Sequence, residues 1–176
     1  PNTAGNNDYI NWGVNYNSSG TRAGWYKVYW RFQNVAVPQG ATIESSTLTV
    51  SVSRFSSHPD TDTVDYDIWG LAADNHGLPT GSGDMDDDKH TTAEVSRGFS
   101  ITGSGSDDGT GRFTSDDIST IITEITGRAG WSSGNSLVLV STFYTNWSSD
   151  EYRRMKTWKY FDTYGGTPNT LEITYS

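Results

Sequence analysis

A protein can act on its surroundings through converging titratable groups or through side chains that bind without reacting, and this chain is richer in the second kind. It carries 7 Trp, 10 Tyr and 6 Phe. Flat rings of this sort stack on the apolar faces of sugars and anchor protein contacts. Four of them stand out as candidate ligand-binding residues. Trp25, Tyr29 and Trp69 fall on the polar side of alternating segments, and Trp147 sits among Asn and Ser. A slip of one residue in register would turn the first three into the core instead.

The reactive types are sparse or scattered. Cys is absent, which excludes disulfides, thiolate metal sites and a cysteine nucleophile. Nucleophilic catalysis needs a base positioned beside Ser, Thr or Cys. The three histidines, His58, His76 and His90, lie in polar stretches that read as loops, and no Gly-x-Ser-x-Gly elbow occurs. Glu44, Glu94, Glu124, Glu151 and Glu172 are dispersed, and nothing marks out the carboxylate pair that glycoside hydrolysis requires. Two acidic stretches, Asp84 with Asp86, Asp87 and Asp88, and Asp107-Asp108-Gly109, have the oxygen ligands calcium takes. Their spacing matches no EF-hand loop, and they read as solvated loops. The Gly-rich stretch 102–112 is not followed by a Lys-bearing helix, so it reads as a loop and not a phosphate cradle. The expectation is no enzyme, no cofactor and no metal.

The elements that must position the rings follow from hydrophobic period. In Trp25 to Phe32, the residues Tyr26, Val28, Trp30 and Phe32 face one way, with Trp25, Lys27, Tyr29 and Arg31 opposite. Val37-Pro38-Gln39-Gly40 reads as a turn, Pro setting φ and Gly free to take φ > 0. Thr47 to Ser53 alternates cleanly, with Leu48, Val50 and Val52 inward and Thr47, Thr49, Ser51 and Ser53 toward solvent. Thr63 to Leu71 sets Val64, Tyr66 and Ile68 against Asp65, Asp67 and Trp69. Thr91 to Ile101 is a weaker strand, and a short one is expected near Tyr9 to Val14.

One segment breaks the period. Ile118, Ile121, Ile122 and Ile125 recur at helical spacing, predicting a short helix within residues 115–127. Thr114 or Ser115 would cap it, Asp116 and Asp117 would complement its dipole, and Gly127 would end it in the left-handed region. It reads as a plug closing one end of a sandwich. Beyond it, Leu137-Val138-Leu139-Val140 lacks a polar face and predicts a strand buried on both sides. Arg153 to Phe161 alternates, and Thr170 to Tyr175 would turn Leu171, Ile173 and Tyr175 inward. Residues 73–90 and 102–112 form long polar connections, a length that is usually functional or mobile.

The expected fold is all-β: an antiparallel β-sandwich of the jelly-roll kind with one short helix, forming a single domain over residues 1–176. The formal net charge of −9, from 21 acidic against 12 basic residues, disfavours nucleic acid, which rewards clustered Lys and Arg. No apolar run approaches the roughly 20 residues of a membrane helix.

Two segments carry a family likeness. One runs from Tyr29-Trp30-Arg31-Phe32 through Val37-Pro38-Gln39-Gly40 to Thr47-Leu48. The other is Asp117 to Ile125, followed by Gly130-Trp131-Ser132-Ser133-Gly134-Asn135-Ser136-Leu137, with Leu171-Glu172-Ile173-Thr174-Tyr175 closing the pattern. The chain resembles the jelly-roll modules of the DNRLRE-type or carbohydrate-binding-like group, found in secreted bacterial proteins and phage structural proteins. That resemblance implies a β-sandwich without catalytic machinery, serving as an adhesive or decorating module. The matching positions are structural and transfer no binding residue. The expectation is therefore a non-catalytic surface module, such as a virion decoration or tail component or an extracellular appendage subunit. Its partners would be other protein subunits, through self-assembly or docking on a larger particle. The alternative is a carbohydrate-binding module that uses Trp and Tyr platforms on a polysaccharide.

Overall fold

The computed structural model describes residues 9–16, 22–53, 63–79, 83, 89–102, 111–143, 151–156 and 168–176. Among these described residues, ten strands and one helix follow in the order β1 (Tyr9–Tyr16), β2 (Arg22–Tyr26), β3 (Val28–Phe32), β4 (Ile43–Ser53), β5 (Thr63–Leu71), β6 (His90–Thr102), β7 (Gly111–Thr114), α1 (Ser119–Thr126), β8 (Leu137–Phe143), β9 (Glu151–Lys156) and β10 (Thr170–Tyr175). They form two antiparallel sheets. One follows the order β10-β4-β9-β1-β2, with β7 also paired to β4, and the other the order β3-β8-β5-β6. Only Lys27 separates β2 from β3, so the chain passes from one sheet to the other at that residue.

Period-two alternation decides what fills the space between the sheets. Val28 and Trp30 of β3, Leu48 and Val50 of β4, Tyr66 and Ile68 of β5, and Leu137 and Leu139 of β8 are buried in one cluster. Ile118, Ile121, Ile122 and Ile125 join them. Full burial of an aliphatic side chain contributes about 1.5–3 kcal/mol, so these isoleucines hold a helix whose intrinsic propensity is modest. The helix packs against β4 of one sheet and against β5 and β6 of the other, the plug the sequence predicts. Gly70 is the concession that lets it approach. A Cβ there would lie 2.6 Å from Ile125 Cδ1 and 2.9 Å from Ile121 Cγ2.

The helix ends differ from expectation. It begins at Ser119, and the cap position is Ile118, which makes no side-chain capping bond. The free N–H of Ser119 is met by Asp117 Oδ1 at 3.1 Å, and Ser119 Oγ donates to Asp117 Oδ2 at 2.7 Å. Ser115 is occupied elsewhere, its Oγ accepting from the Leu48 amide at 3.0 Å. Gly127 is right-handed, at φ −77°, and not left-handed. Tertiary contacts terminate the helix in its place. Gly40, at φ +71°, donates its N–H to the Thr126 carbonyl at 3.2 Å, and Gln39 Nε2 donates to the Arg128 carbonyl at 2.8 Å. Trp131 Nε1 then donates to the Val37 carbonyl at 2.9 Å. The turn at 37–40 and the helix exit, distant in sequence, thus form one joint.

Two further corrections concern exposure and side-chain direction. Ser51 keeps the face of Thr47 and Thr49 but is buried there, with Arg112 Nη1 donating to its Oγ and to the Pro168 carbonyl, and its amide donating to Asn169 Oδ1. Tyr175 does not point inward. The β4–β10 register shifts between Thr174 and Tyr175, the residue is 41% exposed, and its hydroxyl donates to the Ala36 carbonyl.

Candidate functional site

Two of the four candidate rings share one row of the β3-β8-β5-β6 sheet, on the face turned away from the helix. Tyr29 lies opposite Val140, Val140 opposite Trp69, and Trp69 opposite Glu94. The neighbouring row on one side carries Arg31 opposite Val138 and Leu71 opposite His90, and on the other Asp67 lies opposite Thr142. With one strand between them, the Tyr29 and Trp69 backbones stand roughly 10 Å apart.

This outer face is not bare. Trp69, Leu71, Val138 and Val140 are buried together, with Tyr29 half-buried against them. β8 is therefore covered on both faces, as its unbroken apolar run predicts. Trp69 is 6% exposed, so the expectation of an open platform is corrected for this residue. The outer face of a strand is open only where nothing crosses it, and period two carries no information about what crosses. Lys27 Nζ sits 5.3 Å from the centroid of the Trp69 ring, within cation–π range, and the His90 ring is 5.8 Å away at 55°. The indole Nε1 of Trp69 is buried and has no hydrogen-bond partner. Burial also raises the pKa of the Tyr29 hydroxyl. Trp25 lies on β2 with its backbone opposite Val14, its side chain outside the described residues, and Trp147 lies outside them altogether.

Toward β6 the face is acidic. Burial raises the pKa of Asp67, with Glu94 and Asp65 pushing the same way, while the Arg97 amide bond and charge oppose them. Arg97 adopts φ +58°, its N–H donates to Asp67 Oδ1 at 2.9 Å, and its Nε lies 3.7 Å from Asp65. At the helix, Glu124 accepts the Thr92 and Ala93 amides, one on each carboxylate oxygen, at 2.8 and 2.7 Å. This carboxylate satisfies β6 backbone donors.

The connection after β5 is held most heavily. Ala72 N–H donates to the Lys89 carbonyl, and Arg128 Nε donates to Asp74 Oδ1 at 2.7 Å. Asn135 Nδ2 donates to the Asp74 carbonyl, and the Ser136 amide donates to Asn75 Oδ1. The His76 amide donates to the Ser136 carbonyl, while Arg31 reaches from β3 to the His76 carbonyl and to Ser136 Oγ. Gly130 makes room for this, since a Cβ there would stand 2.1 Å from Asp74 Oδ2. Residues 72–77 are thereby laced to the helix exit and to β3. Just beyond them Leu78 is 63% exposed and Pro79 is buried. Charged and amide groups here spend their bonds on fixing a loop, and the loop carries an apolar side chain into solvent.

Sequence reasoning flagged this loop by its length but missed Asp74, Arg128 and Asn135. The only trace of their role was the Gly-Trp-Ser-Ser-Gly-Asn stretch at the helix exit, whose partner lies more than fifty residues away. His58 and the acidic stretches at 84–88 (apart from their flanks) and 107–108 fall outside the described residues. Among the described residues no cluster of three or more His, Cys, Asp or Glu is arranged to hold a metal ion. No helix there is long and apolar enough to cross a membrane. Compared with protein-family models, curated proteins and solved structures, the chain finds no match in any of the three.

Proposed function

We propose that the chain is a non-catalytic surface module of the jelly-roll kind, which docks on other protein subunits of a virion-surface or extracellular assembly. The observation that carries this reading is the loop at 72–79. Its backbone is held at the Asp74 and His76 carbonyls by Asn135 and Arg31 and at the His76 amide by the Ser136 carbonyl, its Asp74 and Asn75 side chains are held by Arg128 and the Ser136 amide, and it places Leu78 63% exposed beside a buried Pro79. A loop fixed before binding has less conformational entropy to lose on binding. An apolar side chain on such a support suits insertion into a complementary surface. The carbohydrate-binding alternative draws less support, because the Trp69 ring is covered while Lys27 and His90 lie against it.

The test is fractionation of source material by sedimentation, following the chain with an antibody. The native chain is expected in high-mass fractions. Leu78→Lys is expected at the top of the gradient as free protein, with Tm unchanged because the side chain is already exposed. A native chain that sediments alone overturns the reading. Retention on a polysaccharide resin that is lost in Tyr29→Ala would put the sugar-binding alternative in its place.

A further inference from the structure

One stretch of β6 holds its backbone where a side-chain-bearing residue is strained. The β5–β6 register pairs Ile68 with Val95 and Tyr66 with Phe99, so Ser96, Arg97 and Gly98 stand opposite Asp67 in a bulge. Arg97 takes φ +58°, a left-handed conformation that is costly for any residue with a Cβ. The glycine beside it is needed for another purpose. A Cβ at Gly98 would lie 2.7 Å from Ile68 Cδ1, and the Gly98 carbonyl accepts from the Asp116 amide at 2.8 Å. What offsets the strain at Arg97 is its amide, which donates to Asp67 Oδ1 at 2.9 Å.

The charges around Asp67 can be named element by element among the described residues. Asp65 lies on the same face of β5, Glu94 and Arg97 act on it from β6, and the uncharged Thr142 lies opposite on β8. Arg97 also reaches Asp65, its Nε 3.7 Å from Oδ2. Asp67 is itself anchored from β8, its carbonyl accepting from Ser141 Oγ. It therefore keeps its burial if the bulge lets go, and loses only the Arg97 amide and the Arg97 charge. Those two favour the carboxylate, whereas burial, Glu94 and Asp65 favour the neutral acid. A carboxylate also accepts an N–H more strongly than a carboxylic acid does.

We infer that the β6 bulge is an acid-released latch: a proton on Asp67 lets go of the Arg97 amide, and Arg97 leaves its left-handed conformation while both sheets stay folded. The sign follows from linkage. The released state lacks the two contributions that favour the charged form and keeps those that oppose it. It therefore binds a proton more readily than the latched state, and acid populates it. Complete unfolding would also remove the burial, so acid does not favour it through this group. The change is confined to the bulge, where the outer face of β6 alters its charge and its backbone together.

Amide NMR of the whole chain across the acidic range tests the latch. The Arg97 amide proton is expected to move to lower frequency as pH falls, with a midpoint above that of an ordinary carboxylate. Its protection against exchange, corrected for the intrinsic rate, should fall about 5- to 10-fold more than protection in β8. Asp67→Asn should show the low protection at every pH. Arg97→Ala keeps the left-handed strain and drops the charge, and should release as readily as the native chain or more so. Arg97→Gly drops both and should stay latched. An Arg97 amide that does not titrate overturns the inference, as does a titration that persists in Asp67→Asn. Equal loss of protection in β8 would show general unfolding instead, and equal release of the Ala and Gly variants would show that strain plays no part; either result also overturns it.

Discussion

Two buried tryptophans, one in each apolar cluster, are held in opposite ways. Trp131 lies in the cluster between the sheets, 2% exposed, and its indole N–H donates to the Val37 carbonyl. Trp69 lies in the smaller cluster on the far side of the same sheet, 6% exposed, and its indole N–H donates to nothing. Burial is nearly equal and the polar accounting is opposite. Trp131 closes a specific joint between turn and helix exit. Trp69 buries apolar area on the outer face and leaves its own donor unmet, a cost of about 1–3 kcal/mol. Equal burial therefore does not mean equal contribution to stability.

Substitution can break that contrast. Trp131→Ala should lose the most, about 3–5 kcal/mol, read from the midpoint and slope of urea unfolding. A loss below about 1 kcal/mol would show that the inner joint does not hold the fold. The sharper pair is Trp to Phe. Trp131→Phe strands the Val37 carbonyl and should cost about 1–3 kcal/mol, whereas Trp69→Phe discards the unmet donor and should stay within about 1 kcal/mol of the native protein. If the two Phe variants cost the same, the indole bond is not what separates these two residues.

Gly130→Ala comes next. The new Cβ expels the Asp74 carboxylate and breaks its pair with Arg128. That pair is partly exposed, so the global loss should be about 1 kcal/mol, while amide protection at residues 72–77 falls sharply in hydrogen exchange. Uniform loss of protection across the sheets would contradict a local latch.

The smallest effects concern pH and have opposite signs. The Ser46 amide, the Ser119 hydroxyl and the Ser119 amide hold the pKa of Asp117 below its ordinary value. Its contribution is complete above the unfolded pKa and is lost as pH falls through the folded one. Asp67 is raised, chiefly by burial, so the folded state binds more protons between its ordinary and raised values, and stability climbs as pH falls through that window. Asp117→Asn should flatten the acid-side loss of stability, and Asp67→Asn should steepen it. The same change in slope from both variants would refute the assignment.

Much of the fold was legible in advance because it rests on period. Val28, Trp30, Leu48, Val50, Tyr66 and Ile68 are buried where alternation places them, and the four isoleucines at helical spacing are all buried. The turn glycine Gly40 takes the positive φ that its type allows. The candidate site was less legible. Alternation set Tyr29 and Trp69 correctly on the outer face, but a face is named relative to its own sheet. The helix cap was misassigned for a similar reason: Ser115 and Asp117 are both chemically able, and the position of β4 decides which one reaches Ser119.

What the amino-acid order determined by itself is the set of two-sided elements, since side-chain direction along a strand or helix is a local property of the backbone. Which faces meet and which indole finds a carbonyl depend on groups separated by tens of residues. Only the folded chain brings those groups within hydrogen-bonding distance, and there the fate of Trp69 and Asp74 was settled.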